Sequence, residues 1–317
     1  MDSTQLWTLT DGNAGNRRQA EALATALELG PAADWQLQTH LPWRIAAPRR
    51  FPGASHAFGS DFAHALQRPP ALAIGCGRQA ALATRLLRER GSKVVQILDP
   101  RVETRHWDLV VAPEHDRLQG DNVITLLGSL NPVDDAWLAI AGNAFAQFAD
   151  LPQPRTALLL GGSSAHARFD RKEFEALATL LDAAFAREGG SVLATTSRRT
   201  SPDVVEALHH RYQSTPGMIW SSEIDGANPY AGVLAWADRI VCSPDSVNMV
   251  SEACATRVPV FVFEPRHVSG RPRRFLDALL AQGRIQPMDT QLASFATEPL
   301  RETARVAALV KERLSLS

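Results

Sequence analysis

The sequence predicts an α/β protein built from two doubly wound, Rossmann-like domains that face a common cleft. Short apolar runs rich in Val, Ile and Leu alternate with longer segments whose apolar residues recur at helical spacing, a pattern typical of βα units around a parallel sheet. The length of 317 residues fits two domains of roughly 150 residues each. Because functional loops follow the carboxyl ends of parallel strands, two such domains would place those loops around one cleft.

The predicted strands are short apolar runs bounded by polar or turn-forming residues. In chain order they are Gln5–Leu9, Ala71–Gly75, Lys93–Leu98, Leu109–Ala112, Val123–Leu126, Thr156–Leu160, Ser191–Thr195, Met218–Trp220, Arg239–Cys242 and Val258–Phe263. The predicted helices carry an apolar stripe, as Ala20, Leu23 and Leu27 do in the first of them. They are Asn16–Leu29, Arg78–Arg88, Asp134–Phe148, Phe169–Ala186, Pro202–Arg211, Val247–Ala255 and Pro299–Leu314.

A proline-containing segment marks the predicted domain boundary. Two prolines lie between Asp150 and Arg155, where they separate a predicted helix from a new strand and can hold a short extended linker. We therefore predict a first domain over residues 1–150 and a second over 151–298. The last helix, within 299–317, follows an irregular stretch and is free to pack back on the first domain.

Composition excludes several classes of protein. Thirty-three basic residues against 34 acidic ones give a net charge of −1, so the chain lacks the positive field that gathers nucleic acid. No apolar stretch approaches the roughly 20 residues of a membrane span, which leaves only peripheral membrane contact open. The cysteines Cys76, Cys242 and Cys254 lack CxxC spacing and lie in apolar stretches, as buried thiols of a reducing compartment do. We predict a cytoplasmic location and leave the oligomeric state open.

Two loops of the first domain carry polar side chains suited to catalysis. The loop Asp11–Asn16 contains Gly12 and Gly15, which would let the backbone turn tightly and present N–H groups at a helix N-terminus. A second loop places Glu114 and His115 beside a further carboxylate, an arrangement suited to a general base. A tight turn and a surface turn, respectively, are the alternative interpretations.

Two loops of the second domain are suited to phosphate. Gly161, Gly162 and Ser163 directly follow an apolar strand and lack the GxGxxG and Walker A patterns. Arg198 and Arg199 stand among hydroxyl side chains at another strand end, where a diphosphate could use their guanidinium groups. The alternatives are an ordinary βα turn for the first loop and a capped helix start with solvated arginines for the second.

A third loop of this domain leads from a strand into a helix. Pro244 suits the first turn of that helix, and Ser243 or Asp245 can serve as its N-cap. Capping does not explain Glu252, which lies beyond the first turn on an otherwise apolar helix. A carboxylate there could accept two hydrogen bonds from a vicinal diol such as ribose, while the helix N-terminus holds phosphate.

Some chemistry is disfavoured by what the sequence lacks. It contains no Asp-x-Asp triplet, no His pair at metal-ligand spacing near a third ligand, and no Gly-x-Ser-x-Gly elbow. We therefore predict no metal and no cofactor.

The stretch from Gly217 to Val268 resembles the C-terminal domain of the GT-B glycosyltransferases, most closely the N-acetylglucosaminyltransferase of peptidoglycan synthesis. The matching segments are Met218–Trp220, Asn228–Tyr230, Leu234–Asp238, Ile240–Ser243, Val250–Ala253 and Pro259–Val262. The resemblance implies a GT-B architecture whose second domain binds a nucleotide-diphosphate sugar. Asp245 would belong to the nucleotide-sugar-binding loop, with Ser246 and Val247 at the diphosphate. Glu252 would lie at the ribose and Trp220 at the base, and Gly161-Gly162-Ser163 resembles the family's Gly-Gly-Ser loop.

Over nearly the whole chain the sequence is identified as a member of the mitochondrial-fission (elongated-mitochondria) family. The segments that carry this resemblance are Asp11–Asn16, Ile74–Gln79, Gln96–Arg101, Asp108–Asp116, Thr195–Thr200 and Pro244–Val247. The name of this family describes a plant organelle phenotype and implies no reaction.

Two departures from the peptidoglycan enzyme bear on mechanism. Its first loop holds a histidine proposed as the base, whereas the loop from Asp11 has none, so the base here would be Asp11 or, from the other first-domain loop, Glu114 or His115. Where that enzyme has glutamines at the donor sugar, this chain has Arg273 and Arg274. These arginines suggest an anionic donor or acceptor, or a solvated helix start.

The function that these observations favour is a metal-independent GT-B-type glycosyltransferase that transfers sugar from a nucleotide-diphosphate donor to a hydroxyl acceptor. One alternative is a nucleotide-sugar epimerase, which would act on the donor alone. Another is a non-enzymatic adaptor that keeps the fold and recruits a partner through its surface.

Overall fold

A computed structural model describes residues 6–316, which form two compact units. Residues up to Pro132, together with those from Glu302 onward, form the first unit, and Val133–Arg301 forms the second. The predicted start of the first strand at Gln5 lies outside the described residues. No helix within residues 6–316 is long and apolar enough to cross a bilayer.

The first unit is a six-stranded parallel sheet in the order β2-β1-β3-β4-β5-β6. Its strands are β1 (Leu6–Thr10), β2 (Ala32–Gln36), β3 (Leu72–Cys76), β4 (Lys93–Ile97), β5 (Leu109–Pro113) and β6 (Val123–Leu126). Its helices are α1 (Ala14–Leu27), α2 (Trp43–Ala46), α3 (Ser60–Ala65), α4 (Arg78–Arg88) and, from the end of the chain, α11 (Glu302–Leu314). Strands β2 and β3 flank β1 on opposite sides, so the order of the chain through the sheet reverses there.

Both faces of this sheet are buried, as the apolar runs of its strands predict. Ile74 and Val95 point into a core with α1 and α11, whereas Ala73 and Val94 point into a second core that includes Trp107. Neighbouring residues of a strand point to opposite faces, so a continuous apolar run fills both layers.

The second unit is another six-stranded parallel sheet, in the order β12-β11-β10-β7-β8-β9. Its strands are β7 (Arg155–Leu160), β8 (Ser191–Thr196), β9 (Gly217–Trp220), β10 (Arg239–Cys242), β11 (Val260–Val262) and β12 (Ile285–Pro287). Its helices are α5 (Asp135–Ala144), α6 (Arg171–Glu188), α7 (Pro202–Tyr212), α8 (Tyr230–Trp236), α9 (Val247–Cys254) and α10 (Gly270–Ala281). The strand order reverses between β7 and β10: later strands are added on one side of β7 first and then on the other. The loops after these two strands therefore border a crevice at the carboxyl edge of the sheet.

The structure divides the chain earlier than the two prolines predict. Helix α5, which we place within residues 1–150 from the sequence, packs on α8 in the second unit: the Trp236 indole N–H donates to the Gly142 carbonyl at 3.0 Å. Gly232 permits this approach, because a Cβ there would lie 2.4 Å from the Phe145 ring. Asp135 also pairs with arginines of the same unit. The prolines therefore fall inside the second unit.

Several elements differ from the sequence prediction. The edge strands β2 and β12 and the helices α2, α3, α8 and α10 are absent from it. The helix predicted over Asp134–Phe148 ends at Ala144 and continues as a 3₁₀ turn. The central strands all form within one or two residues of their predicted bounds, because central strands of a parallel sheet carry the strongest apolar signal.

A buried arginine links the start of β12 to the end of helix α9. Arg284, just before β12, donates from Nε to the Cys254 carbonyl at 3.0 Å and from its terminal nitrogen to the Thr256 carbonyl at 2.8 Å. Burial lowers the pKa of Arg284. Its guanidinium satisfies carbonyl groups at the end of α9 that no helical N–H reaches.

Replacing this guanidinium should destabilise the second unit. We expect Arg284→Met to lower the free energy of unfolding by about 3 kcal/mol, because it removes the donor to the Thr256 and Val258 carbonyls and a donor to the Cys254 carbonyl. The measurement is urea denaturation followed by circular dichroism. Arg171→Met is the matched control, since the ion pair of Arg171 with Glu175 is exposed. Equal unfolding midpoints for the two variants would contradict this assignment.

Candidate functional site

The crevice of the second unit is closed at its base by hydrogen bonds between the loops after β7 and β10. The Gly161 N–H donates to Ser243 Oγ at 2.7 Å, and the Ser243 hydroxyl donates to Asp245 Oδ1 at 2.7 Å. The Gly162 N–H donates to Asp245 Oδ2 at 3.1 Å. These two loops therefore form one rigid edge.

The loop after β8 joins the same network. The Arg199 guanidinium donates to Asp245 Oδ2 at 2.7 Å, and the Thr200 hydroxyl donates to the Gly161 carbonyl at 2.6 Å. The Asp245 side chain is fully enclosed. Its carboxylate accepts hydrogen bonds from three loops, so the geometry fits a positioning role for Asp245 better than contact with a ligand.

The two glycines after β7 are required by close approach. A Cβ at Gly162 would lie 1.9 Å from the Arg199 carbonyl oxygen, and a Cβ at Gly161 would lie 2.2 Å from the Asp245 carboxylate. Real Cβ atoms do not reach such distances, so neither position accepts a side chain without movement of the backbone. The glycines let three loops meet at one point.

Helix α9 begins at this edge with a cap that differs from the two candidates that the sequence suggests. Ser246, rather than Ser243 or Asp245, is the N-cap, and its hydroxyl accepts from the Met249 N–H at 3.4 Å. Ser243 and Asp245 are instead used between loops. Val247 is the first helical residue, so the N-terminus of α9, with its partial positive charge, lies beside the Gly161-Gly162 loop.

Glu252 is buried on α9, with 3% of its surface exposed. The Tyr230 hydroxyl donates to Glu252 Oε2 at 2.5 Å, which orients the carboxylate. No role for Tyr230 follows from the sequence alone. The available signal is its place in Asn228–Tyr230, one of the segments that resemble the GT-B glycosyltransferases.

The two adjacent arginines after β8 differ in environment. Both side chains are exposed, but Arg199 forms an ion pair with the enclosed Asp245 carboxylate. The charges of Arg199 and Asp245 compensate each other, so the net positive charge at this edge comes from Arg198. The sequence cannot separate the roles of these neighbours.

The end of β9 carries a second polar cluster. The Ser221 backbone N–H and hydroxyl both donate to Asp225 Oδ2, at 2.7 and 2.6 Å, and these hydrogen bonds hold the pKa of Asp225 below its usual range. The Trp220 indole N–H donates to the Gly226 carbonyl at 3.0 Å. The backbone after Trp220 is therefore ordered by its own turn.

The arginines at the start of α10 lie close to the loop after β7. The His166 carbonyl accepts from the Ser269 N–H at 2.8 Å, and the His166 ring packs on Gly270. Arg273 donates to Asp277 Oδ1 and to the Arg266 carbonyl. Arg274 is the next residue of the helix. Arg273 is thus partly used within its own helix.

The cysteines beside the site are buried thiols, as their apolar surroundings predict. Burial raises the pKa of Cys242 well above its usual value and raises that of Cys254 to about 12. Burial disfavours the thiolate, so neither side chain is suited to nucleophilic attack.

The first unit has a corresponding edge where β1 and β3 lie side by side. Asp11 Oδ1 accepts from the Asn16 side-chain amide at 2.9 Å, and Asp11 also accepts from the Asn13 N–H and side chain. The Asn16 amide lies against Gly77, where a Cβ would be 2.7 Å away. Gly12 has a φ of 79° and lies against Gln36, a backbone conformation that favours glycine. Gly15 is the second residue of α1.

The second loop that could supply a general base follows a different strand of this sheet. Glu114 and His115 follow β5 in a 3₁₀ turn; Glu114 is exposed, and the His115 ring is mostly buried 4.0 Å from Asp116. Strands β1 and β5 are three positions apart in the sheet, which is about 14 Å at the usual strand spacing. The strand order therefore gives no reason to place Asp11 in one site with Glu114 or His115.

Comparison with solved structures identifies the fold. UDP-GlcNAc 2-epimerase from Methanocaldococcus jannaschii superposes with a TM-score of 0.60 at 14% identity, covering 97% of this chain and 99% of its own. The Neisseria meningitidis UDP-GlcNAc 2-epimerase bound to UDP-GlcNAc gives 0.59 at 11% identity, with 98% and 100% covered. MurG of Acinetobacter baumannii gives 0.50 at 15% identity, with 98% and 92% covered. The chain is thus an α/β protein with the GT-B fold, which confirms the fold predicted from the sequence.

Sequence comparison gives the particular family. The profile of the mitochondrial fission ELM1 family matches residues 14–314, and the chain belongs to that family. It is 28% identical over 277 residues to the mitochondrial fission protein ELM1 of Arabidopsis thaliana, with 78% of this chain matched, and it spans 64% of the length of that relative. An uncharacterized protein of Rickettsia prowazekii (strain Madrid E) is 24% identical over 98% of this chain and 99% of its own length.

The glycine loop provides a test of the crevice in which two glycine substitutions should have opposite effects. We expect Gly162→Ala to lower the free energy of unfolding by about 3 kcal/mol, because the new methyl group overlaps the Arg199 carbonyl. Gly142→Ala in helix α5 should be neutral or stabilise by up to about 1 kcal/mol, since its nearest neighbours are 3.9 Å away. Thermal and urea unfolding measure both, and equal effects would contradict the packing described here.

Proposed function

We propose that the second unit binds a nucleotide-diphosphate sugar at the carboxyl edge of β7, β8 and β10, and that the protein transfers the sugar to a hydroxyl acceptor without a metal ion. The observation that carries the proposal is the buried Glu252 carboxylate, held by Tyr230 on a helix whose N-terminus lies at the crevice. The carboxylate is oriented by Tyr230, and it could accept hydrogen bonds from the two hydroxyls of a ribose.

The diphosphate would lie at the N-terminus of α9. Backbone N–H groups at Ser246 and Val247 and the helix dipole favour an anion there. Arg198 adds an exposed guanidinium, while Asp245 is neutralised by Arg199 and therefore repels the ligand less. Gly161 and Gly162 hold the loop after β7 against the loop that leads into α9, and Ser163 would lie beside the phosphates.

The nucleoside would extend from Glu252 toward the end of β9, which would place its base beside the backbone around Trp220. The resemblance of Met218–Trp220 and Val250–Ala253 to the GT-B glycosyltransferases supports this orientation. Arg273 and Arg274 would then lie on the side of the donor sugar or an anionic acceptor. UDP is the first nucleotide to test, because the epimerase neighbours are described with UDP-GlcNAc.

The acceptor hydroxyl would be deprotonated by Asp11 of the first unit. Two asparagine side chains, Asn13 and Asn16, orient its carboxylate, and a positioned carboxylate is a suitable general base. Glu114 or His115 is the alternative from the other loop. The leaving diphosphate would be stabilised by the α9 N-terminus and Arg198, which are preorganised donors in place of a cation.

Two other functions remain distinguishable from transfer. A nucleotide-sugar epimerase would convert the donor alone, without release of nucleotide. An adaptor that has kept only the fold would bind no nucleotide and would recruit a protein partner through its surface. The epimerases among the solved neighbours share only the fold with this chain at 11–14% identity, so they do not favour epimerisation over transfer.

The donor site is tested by nucleotide binding. We expect UDP to bind with and without Mg²⁺ and to raise the melting temperature, since a ligand of the native state stabilises it. Glu252→Gln should weaken UDP binding about tenfold or more, because the amide is a poorer acceptor for a diol than a carboxylate. Isothermal titration calorimetry with UDP, and with GDP, CMP, dTDP and ADP for comparison, measures the effect.

Glu206→Gln is the matched control, because Glu206 is exposed on α7. This variant should bind UDP like the wild type. If millimolar concentrations of all these nucleotides bind neither protein, the donor-site proposal is wrong and the adaptor function takes its place.

The proposed base is tested with water as the acceptor. We expect Asp11→Asn to slow the release of UDP from UDP-GlcNAc about 100-fold while leaving UDP affinity unchanged, because only deprotonation of the acceptor is lost. A coupled assay for UDP measures the rate. Glu114→Gln should release UDP like the wild type if Asp11 is the base. The reverse pattern would move the base to the loop after β5, and formation of an epimer without UDP release would replace transfer by epimerisation.

A further inference from the structure

A patch on the first unit combines exposed apolar and basic side chains; we call it the basic–apolar patch. It consists of Leu41, Arg44, Ile45, Arg49 and Phe51, around helix α2. Leu41, Ile45 and Phe51 are 61%, 74% and 46% exposed. Within residues 6–316, two other large apolar side chains are exposed. They are Ile140 and Ile224, and both are far away in sequence.

The backbone of the patch is held in place from below. The Arg78 guanidinium donates to the Arg44 and Ile45 carbonyls at 3.0 and 3.1 Å. Arg85 donates to the Pro48 carbonyl at 2.7 Å. Trp43 is partly buried against the core of the unit. The apolar side chains are thus held toward solvent by a fixed backbone, although burying them would be favourable.

The segment that carries the patch has an excess of positive charge. Between Asp34 and Asp61 the sequence contains Arg44, Arg49 and Arg50 and no acidic residue, in a chain whose net charge is −1. From the neighbouring helix, Glu89 pairs with Arg50 at 2.8 Å, and Arg90 lines the cavity beside Phe51 together with Arg50 and Glu89. Glu89 is thus compensated by Arg50, and Arg44 and Arg49 keep the patch positive.

We propose that the basic–apolar patch docks the protein peripherally on a membrane surface that contains anionic lipid. Exposed Leu, Ile and Phe side chains interleaved with arginines fit the boundary between headgroups and acyl chains, where apolar groups insert and cations meet phosphate. A stable protein interface buries roughly 800 Å² on each partner, which three isolated apolar side chains do not supply. The proposal does not depend on the nucleotide-sugar chemistry.

Vesicle flotation tests the proposal with the full chain. The wild type should float with vesicles of phosphatidylcholine and phosphatidylglycerol, float much less with phosphatidylcholine alone, and be released by high salt. Arg44→Gln combined with Arg49→Gln should weaken binding to the anionic vesicles about 30-fold. Leu41→Ser combined with Ile45→Ser should also reduce binding, although the long-range attraction remains.

Two controls keep the result specific. Ile140→Ser removes an equally exposed apolar side chain from the second unit and should float like the wild type. Melting temperatures should be unchanged in all variants, because the replaced side chains are exposed. Failure of the wild type to bind anionic vesicles would overturn the proposal. So would binding that none of the patch substitutions reduces, or a patch that instead mediates self-association in light scattering.

Discussion

The enclosed carboxylate of Asp245 is the contact on which the crevice of the second unit depends. It is a single acceptor shared by Gly162, Ser243 and Arg199, which come from three different loops. A buried carboxylate is stable only when it is paired and hydrogen-bonded, so each loop is needed to keep the charge satisfied. The edge is rigid because all three loops must stay in place to hydrogen-bond the Asp245 carboxylate. The glycines allow the loops to come close enough to form these hydrogen bonds.

The topology of each sheet explains why such an edge exists at all. In both units the strand order reverses beside the first strand of the sheet. Two loops therefore leave the carboxyl edge toward opposite faces, and a crevice remains between them. In the first unit this position holds Asp11, Asn16 and Gly77; in the second it holds Gly161 and Asp245. The same arrangement of strands thus presents a polar network in both units, and the side chains of each network differ.

The sequence predicted the central strands, the class of fold and the loops of interest, because each depends on local patterns. It missed the edge strand β2, whose sequence Ala32–Gln36 alternates in burial and contains no β-branched residue, and β12, which has only three residues. It also assigned Asp245 to a ligand or a cap. Its partner Gly162 lies 83 residues away, and a single sequence gives no signal for such a pairing. Tyr230 was missed because its contact with Glu252 spans 22 residues.

The return of the chain to the first unit has a consequence for biosynthesis. Helix α11 buries Val306, Val310 and Leu314 in a core that otherwise comes from the first 130 residues of the chain. This last part of the core is therefore synthesised after the whole of the second unit, which is continuous in sequence. The second unit can fold while the N-terminal sheet still lacks the helix that covers part of one face.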